Sequence, residues 1–154
     1  MVEETSGGRV ADRIAFRTAS VLTALFAVLH TIGFLGFQPD DPAARHVRAA
    51  MDTTIFAADD VQFSWGGFYV GFGLFVTAAL ILAAFLSWWL GNVVRDNPRL
   101  VFAPASALAA FQLISLALGL RFFPAPPAAF SALIMFCLLS GLWATRRRLR
   151  SNQV

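Results

Sequence analysis

Four long runs of apolar residues, separated by short polar breaks, dominate the hydropathy pattern of this chain. They lie near 18–37, 65–90, 100–120 and 127–145. Each approaches or exceeds the roughly 20 residues that a helix needs to cross a hydrocarbon core about 30 Å thick. The pattern predicts an all-α, integral membrane four-helix up-down bundle. The first run could be mistaken for a secretion signal. Its apolar core is longer than a signal's, and FQPDDP follows it in place of a small-residue cleavage site, so it is read as a retained helix. DNP (96–98) and FFPAPP (122–127) supply the two short breaks. Proline there ends one helix and opens the next without losing a needed N–H.

The connection 38–64 is too long for a simple turn, and loops of that length usually carry structure of their own. Within PDDPAARHVRAAMDTTIFAA the pattern predicts a short interfacial helix over about 42–57. Asp41 is its expected N-cap and Pro42 its first residue. Val47, Met51, Ile55 and Ala58 share one face; Arg45, Arg48 and Asp52 share another, with Arg48 and Asp52 spaced for an i,i+4 ion pair.

Composition reinforces the membrane reading. The chain is 58% hydrophobic and 14% charged, with a mean hydropathy of +0.67. A soluble domain carries about a quarter charged residues. All twelve basic residues are arginine, a usage that fits GC-rich bacterial coding. With four spans, Arg9, Arg13, Arg17, Arg95, Arg99, Arg146, Arg147, Arg148 and Arg150 fall on one side, against Arg45, Arg48 and Arg121 on the other. The positive-inside rule then predicts a bacterial cytoplasmic (inner) membrane protein with both termini inside. The expected organisation is a basic cytoplasmic segment (1–17), a transmembrane domain (18–145) and a basic tail (146–154). RRRLR in that tail is expected to touch anionic headgroups, with no role in nucleic-acid binding. Cys137 stands alone and no C-x-x-C is present, which excludes thiol–disulfide relay chemistry.

Polar residues inside the runs are the candidates for chemistry. LHTIGFLG (29–36) places His30 among apolar neighbours, with Gly33 and Gly36 a turn further out. SWGGFYVGFG (64–73) combines a Gly67/Gly71 small-xxx-small step with the aromatic stripe Trp65, Tyr69, Phe72. In the third run Gln112, Ser115 and Gly119 share a face. At 1.5 Å rise per residue, His30 lies about 10 Å, Tyr69 about 6–8 Å and Gln112 about 12 Å below the outer boundary. This convergence predicts an outer-half site lined by His30, Trp65, Tyr69, Phe72, Gln112 and Ser115, with Arg121 at its rim. Gly33, Gly36, Gly67 and Gly71 are the expected helix-packing positions. For His30 itself, a hydrogen bond to Gln112, Ser115 or a backbone carbonyl competes with contact to a ligand. Only one histidine lies in a span, with no acid or thiolate cluster beside it, so no metal and no cofactor are expected.

HTxG at His30–Gly33, the Arg/Met/Asp-bearing outer loop, SW-x-x-FYxGFG at 64–73 and RFFPxPP at 121–127 together resemble a family of small bacterial four-helix membrane proteins. The resemblance covers most of 22–128 and brings no particular activity with it. The architecture also resembles the EXPERA-type bundles of sterol isomerases and sigma-2-like proteins, which implies a lipid-like ligand held between helices. Those isomerases use carboxylates with histidine inside the bundle, whereas here no Asp or Glu lies within the four runs.

Three functions follow as expectations. The first is a binding or accessory membrane protein whose outer-half site holds a lipid, quinone or isoprenoid-like ligand, or docks a partner subunit. The second is an enzyme doing acid/base isomerisation or cyclisation on an apolar substrate, with His30 and Asp52 as the catalytic pair. The third is a structural subunit or homo-oligomer assembling through the glycine faces. Membrane lipids are the expected surroundings in all three.

Overall fold

The computed structural model describes residues 3–151; the side chains of 3–9 and of Ala58 lie outside the description, as do residues 1–2 and 152–154 of the two expected terminal segments. The element order is α1 (Glu3–Gly36), α2 (Pro42–Thr53), β1 (Ile55–Ala58), β2 (Val61–Ser64), α3 (Trp65–Asp96), a 3-10 turn at Pro98–Val101, α4 (Phe102–Phe122) and α5 (Ala125–Ser151). Four stretches are long and apolar enough to cross a membrane: Val10–Gly36, Trp65–Asp96, Pro98–Phe122 and Ala125–Ser151. The spans expected at 65–90 and 127–145 sit inside longer helices, because arginine-bearing turns continue α3 and α5 beyond the apolar core. That at 18–37 ends at Gly36 in a helix that begins well before it, and that at 100–120 begins in the 3-10 turn and ends at Phe122.

The chain forms two compact units, and the division falls within α1 and α3. The larger unit holds the chain up to Phe26 and from Leu80 onward. Its helices run alternately up and down. Asp12 meets Arg148, Phe16 meets Gly141 and Phe26 stacks on Phe130, which makes α1 and α5 antiparallel. Ser20 Oγ donates to Ala84 O at 2.7 Å and Arg17 Nη2 to Asn92 Oδ1 at 2.7 Å, which makes α1 and α3 antiparallel as well. The α4–α5 hairpin closes where Gly119 lies against Ala128. On α5 the buried positions Ala128, Ser131, Ile134, Leu138, Gly141, Thr145 and Arg148 recur every three or four residues, the spacing of one helix face.

This unit buries several polar side chains among apolar ones such as Phe16, Leu90, Ile134 and Leu138, and it also exposes large apolar residues on its outside. Asp12, Ser20, Thr23, Ser87, Gln112, Ser131, Thr145 and Arg148 are buried, while Val21, Ile81, Leu120 and Phe136 are 59–72% exposed. Water would penalise that surface heavily, and hydrocarbon does not. Thr23, Ser87 and Thr145 satisfy their hydroxyls on carbonyls four residues earlier, as buried polar groups in lipid must. The protein is a multi-pass membrane protein with an all-α four-helix architecture.

The smaller unit spans Ala27–Ala79. The loop helix starts as expected: Asp41 is the N-cap, accepts from the Ala43 N–H at 3.0 Å, and Pro42 opens the helix. It ends at Thr53, four residues short of the expected 57. Thr53, Thr54 and Ile55 are β-branched and favour an extended chain over another helical turn. The remainder pairs as an antiparallel hairpin, Ile55 opposite Ser64 and Ala58 opposite Val61. Asp59 turns it with a φ of 55°, a left-handed conformation that aspartate tolerates better than most residues. Ile55 and Ala58 therefore belong to the hairpin and not to the apolar face of the loop helix.

Candidate functional site

The smaller unit contains a continuous polar and aromatic cluster on α1, α2 and α3. His30 Nε2 lies 3.2 Å from Gly73 O. A carbonyl oxygen only accepts, so Nε2 carries the proton of this bond. Next to it, Thr31 Oγ1 and Thr77 Oγ1 are 2.8 Å apart, while Thr31 also reaches Ala27 O and Thr77 reaches Gly73 O. The absent side chain at Gly73 lets α1 approach, because a Cβ there would overlap the Phe34 ring. His30 and Phe34 stack at 5.3 Å, and Phe34 meets Tyr69 edge-on at 6.4 Å.

Arg48 of α2 reaches this cluster from the loop. Its guanidinium stands 5.5 Å from the Tyr69 ring centre, a cation–π distance, and its Nε lies 3.6 Å from Asp52 Oδ2. The i,i+4 pair expected from sequence thus forms; being partly exposed, it contributes only about 0.2–0.5 kcal/mol. Asp52 also packs on Gly66, where a Cβ would collide with its carboxylate. The α2 helix is thereby seated against the start of α3.

Trp65 and Phe72 belong to a second aromatic group. Phe56 of the hairpin stacks on Trp65 at 4.5 Å and meets Phe68 edge-on at 5.8 Å, and Phe68 meets Phe72 at 4.8 Å. Trp65, Tyr69 and Phe72 remain 44–59% exposed. This side of α3 is an aromatic surface available to an apolar molecule. The hairpin contributes Phe56 and Phe63 to it, residues that sequence reasoning did not single out. The alternation IFAADDVQFS across a two-aspartate turn is the signal that marks them.

Gln112, Ser115 and Arg121 lie in the larger unit. Ser115 Oγ donates to Phe111 O at 2.9 Å. Gln112 is buried with its Oε1 unbonded, and Ser131 Oγ on α5 is in the same condition. Arg121 is exposed, with its guanidinium 5.4 Å from the Phe122 ring centre.

The glycines expected at helix contacts divide differently. A Cβ at Gly33, Gly36 or Gly71 would meet nothing within 4 Å, and one at Gly67 would meet only Ser64 Oγ. Close approaches fall instead at Gly66, Gly73, Gly91, Gly119 and Gly141. The small-xxx-small step in span two is thus not a seam within the chain.

Sequence reasoning also missed a buried ion pair in the larger unit. Arg148 Nη1 lies 3.2 Å from Asp12 Oδ2, and Arg148 Nη2 donates to Val94 O at 2.6 Å. Both side chains are buried, so Arg148 does not join its neighbours as a headgroup anchor. Its place on the Gly141–Thr145–Arg148 stripe of α5 is the sequence signal that would have separated it from Arg146, Arg147 and Arg150. Among the described residues no cluster of three His, Cys, Asp or Glu could hold a metal ion. No protein family, curated protein or solved structure matches the chain.

Proposed function

We propose that this protein is a binding protein of the bacterial cytoplasmic membrane, with both termini inside, and that it holds an apolar, isoprenoid-like or lipid molecule. The ligand lies against the aromatic surface of α3 and beside the His30–Phe34–Tyr69 cluster. The observation that carries this reading is the exposed Trp65, Tyr69 and Phe72 stripe, built up by Phe56 and Phe68 and approached by Arg48. Such a surface offers a flat apolar wall with one cationic group at its edge, suited to a hydrocarbon chain carrying a polar end. The nine arginines on one side of the four spans support the orientation.

The arrangement favours binding over acid/base catalysis. His30 directs its Nε2–H at Gly73 O and Asp52 is engaged by Arg48, so the two are held by different partners. Native mass spectrometry of protein extracted in mild detergent tests the proposal. A retained apolar small molecule at one per chain is expected, with its occupancy lowered by Tyr69→Ala or Trp65→Ala. Wild-type protein that retains none, or variants that retain it undiminished, would contradict it.

A further inference from the structure

A groove of about 960 Å³ runs between α1 and α3 in the larger unit, away from the aromatic surface discussed above. Arg13, Arg17 and Arg95 line it together with Ile14, Val21 and Trp88. The residues fall on one stripe of each helix: Ile14 lies between Arg13 and Arg17, and past Arg17 the stripe continues into α1 as Val21 and Leu22. Arg13 and Arg17 occupy the first turns of the Val10–Gly36 span, and Arg95 the last turn of the Trp65–Asp96 span. The guanidiniums therefore sit at the end of the two spans, where headgroups lie. Val21 and Trp88 stand further into the spans, exposed by 59% and 42%.

Arg17 is held in place from several sides. Its guanidinium lies 3.7 Å from the Trp88 ring centre, and its Nη2 donates to Asn92 Oδ1. Its stem packs on Gly91, where a Cβ would stand 3.0 Å from Arg17 Cγ. Its Nε is buried without an acceptor. Among the described residues neither Arg13, Arg17 nor Arg95 forms an ion pair with a carboxylate. The one acid on the groove wall is Asp96, so three guanidiniums face a single carboxylate.

We propose that this groove is a binding site for an anionic phospholipid. The phosphodiester accepts hydrogen bonds from the arginines, and one acyl chain runs past Trp88 along Val21 and Leu22. Guanidinium forks match phosphate oxygens, and basic pockets between spanning helices suit anionic headgroups. The apolar wall selects a lipid over a free anion, since a soluble phosphate gains nothing from Val21 or Trp88. The charge balance selects a headgroup with a neutral tip, such as phosphatidylglycerol. A choline tip would add a fourth cation to the three arginines.

The test titrates the full-length protein in detergent with phosphatidylglycerol or phosphatidylcholine of identical acyl chains, counting bound lipids by native mass spectrometry. Phosphatidylglycerol is expected to bind more tightly. Arg13→Gln and Arg95→Gln should each weaken it roughly fivefold, the effect of one arginine near a charged headgroup, and weaken phosphatidylcholine less, so that the preference narrows. Arg95 is exposed, so Arg95→Gln alone carries the test if Arg13→Gln does not fold. The control Arg146→Gln/Arg150→Gln, on exposed tail residues, should keep the wild-type preference. Three outcomes overturn the proposal: equal binding of both lipids, an equal loss in the tail control, or displacement of phosphatidylglycerol by inorganic phosphate. None depends on whether the aromatic surface of α3 holds a ligand.

Discussion

Asp12 and Arg148 form a buried ion pair. Both groups are removed from solvent, and the arginine spends its second nitrogen on Val94 O. Removing one partner of such a pair leaves an uncompensated buried charge, at a cost of about 3–5 kcal/mol. Asp12→Ala is therefore expected to lower unfolding stability in detergent by that amount. Asp12→Leu with Arg148→Met should cost much less than either change alone, because the stranded charge disappears. Unfolding titrations of the four proteins check this, and additive losses would show that the pair is not coupled. At Asp59 the argument is conformational. A φ of 55° is strained for a β-branched side chain, so Asp59→Val should destabilise the hairpin by about 1–2 kcal/mol while Asp59→Gly is tolerated. Proteolysis of the loop reads the difference.

At the scale of elements, glycine position decides how closely helices meet. At Gly141 a Cβ would stand 2.8 Å from the Phe16 ring, so Gly141→Ala must displace an aromatic side chain between α5 and α1. The expected loss is about 1–3 kcal/mol. Gly33 has open space on the same test, and Gly33→Ala should be neutral or stabilising by up to about 1 kcal/mol. Thermal melts of both variants in one detergent compare them directly. These positions also show what was legible in the chain. Runs of apolar residues marked all four spans, and Asp41-Pro42 marked the start of α2, because hydropathy and capping act locally. GxxxG spacing pointed to Gly67 and Gly71, yet the tight contacts lie at Gly73, Gly119 and Gly141. Which face of a helix meets a partner depends on residues distant in sequence, such as Phe34 and Phe16. Arg148 was masked for the same reason: it sits in a basic run, and its acid partner is far away at Asp12. The hairpin was missed because helical spacing and β-alternation overlap across residues 54–58.

For the whole molecule, four long apolar helices with large apolar side chains exposed define a membrane protein, and the arginine asymmetry supports the proposed orientation. Fluorescent-protein fusions at either terminus should be bright, and an alkaline phosphatase insertion at the outer loop near Asp59 should be active. The converse pattern would reverse the orientation. The aromatic surface of residues 27–79 is proposed to hold an apolar ligand. Photolabelling of purified protein with a diazirine-bearing isoprenoid tests it most directly. The label is expected to concentrate on peptides containing Trp65, Tyr69 and Phe72 and to be displaced by unlabelled isoprenoid. Label spread evenly over all four spans and insensitive to competitor would contradict the account.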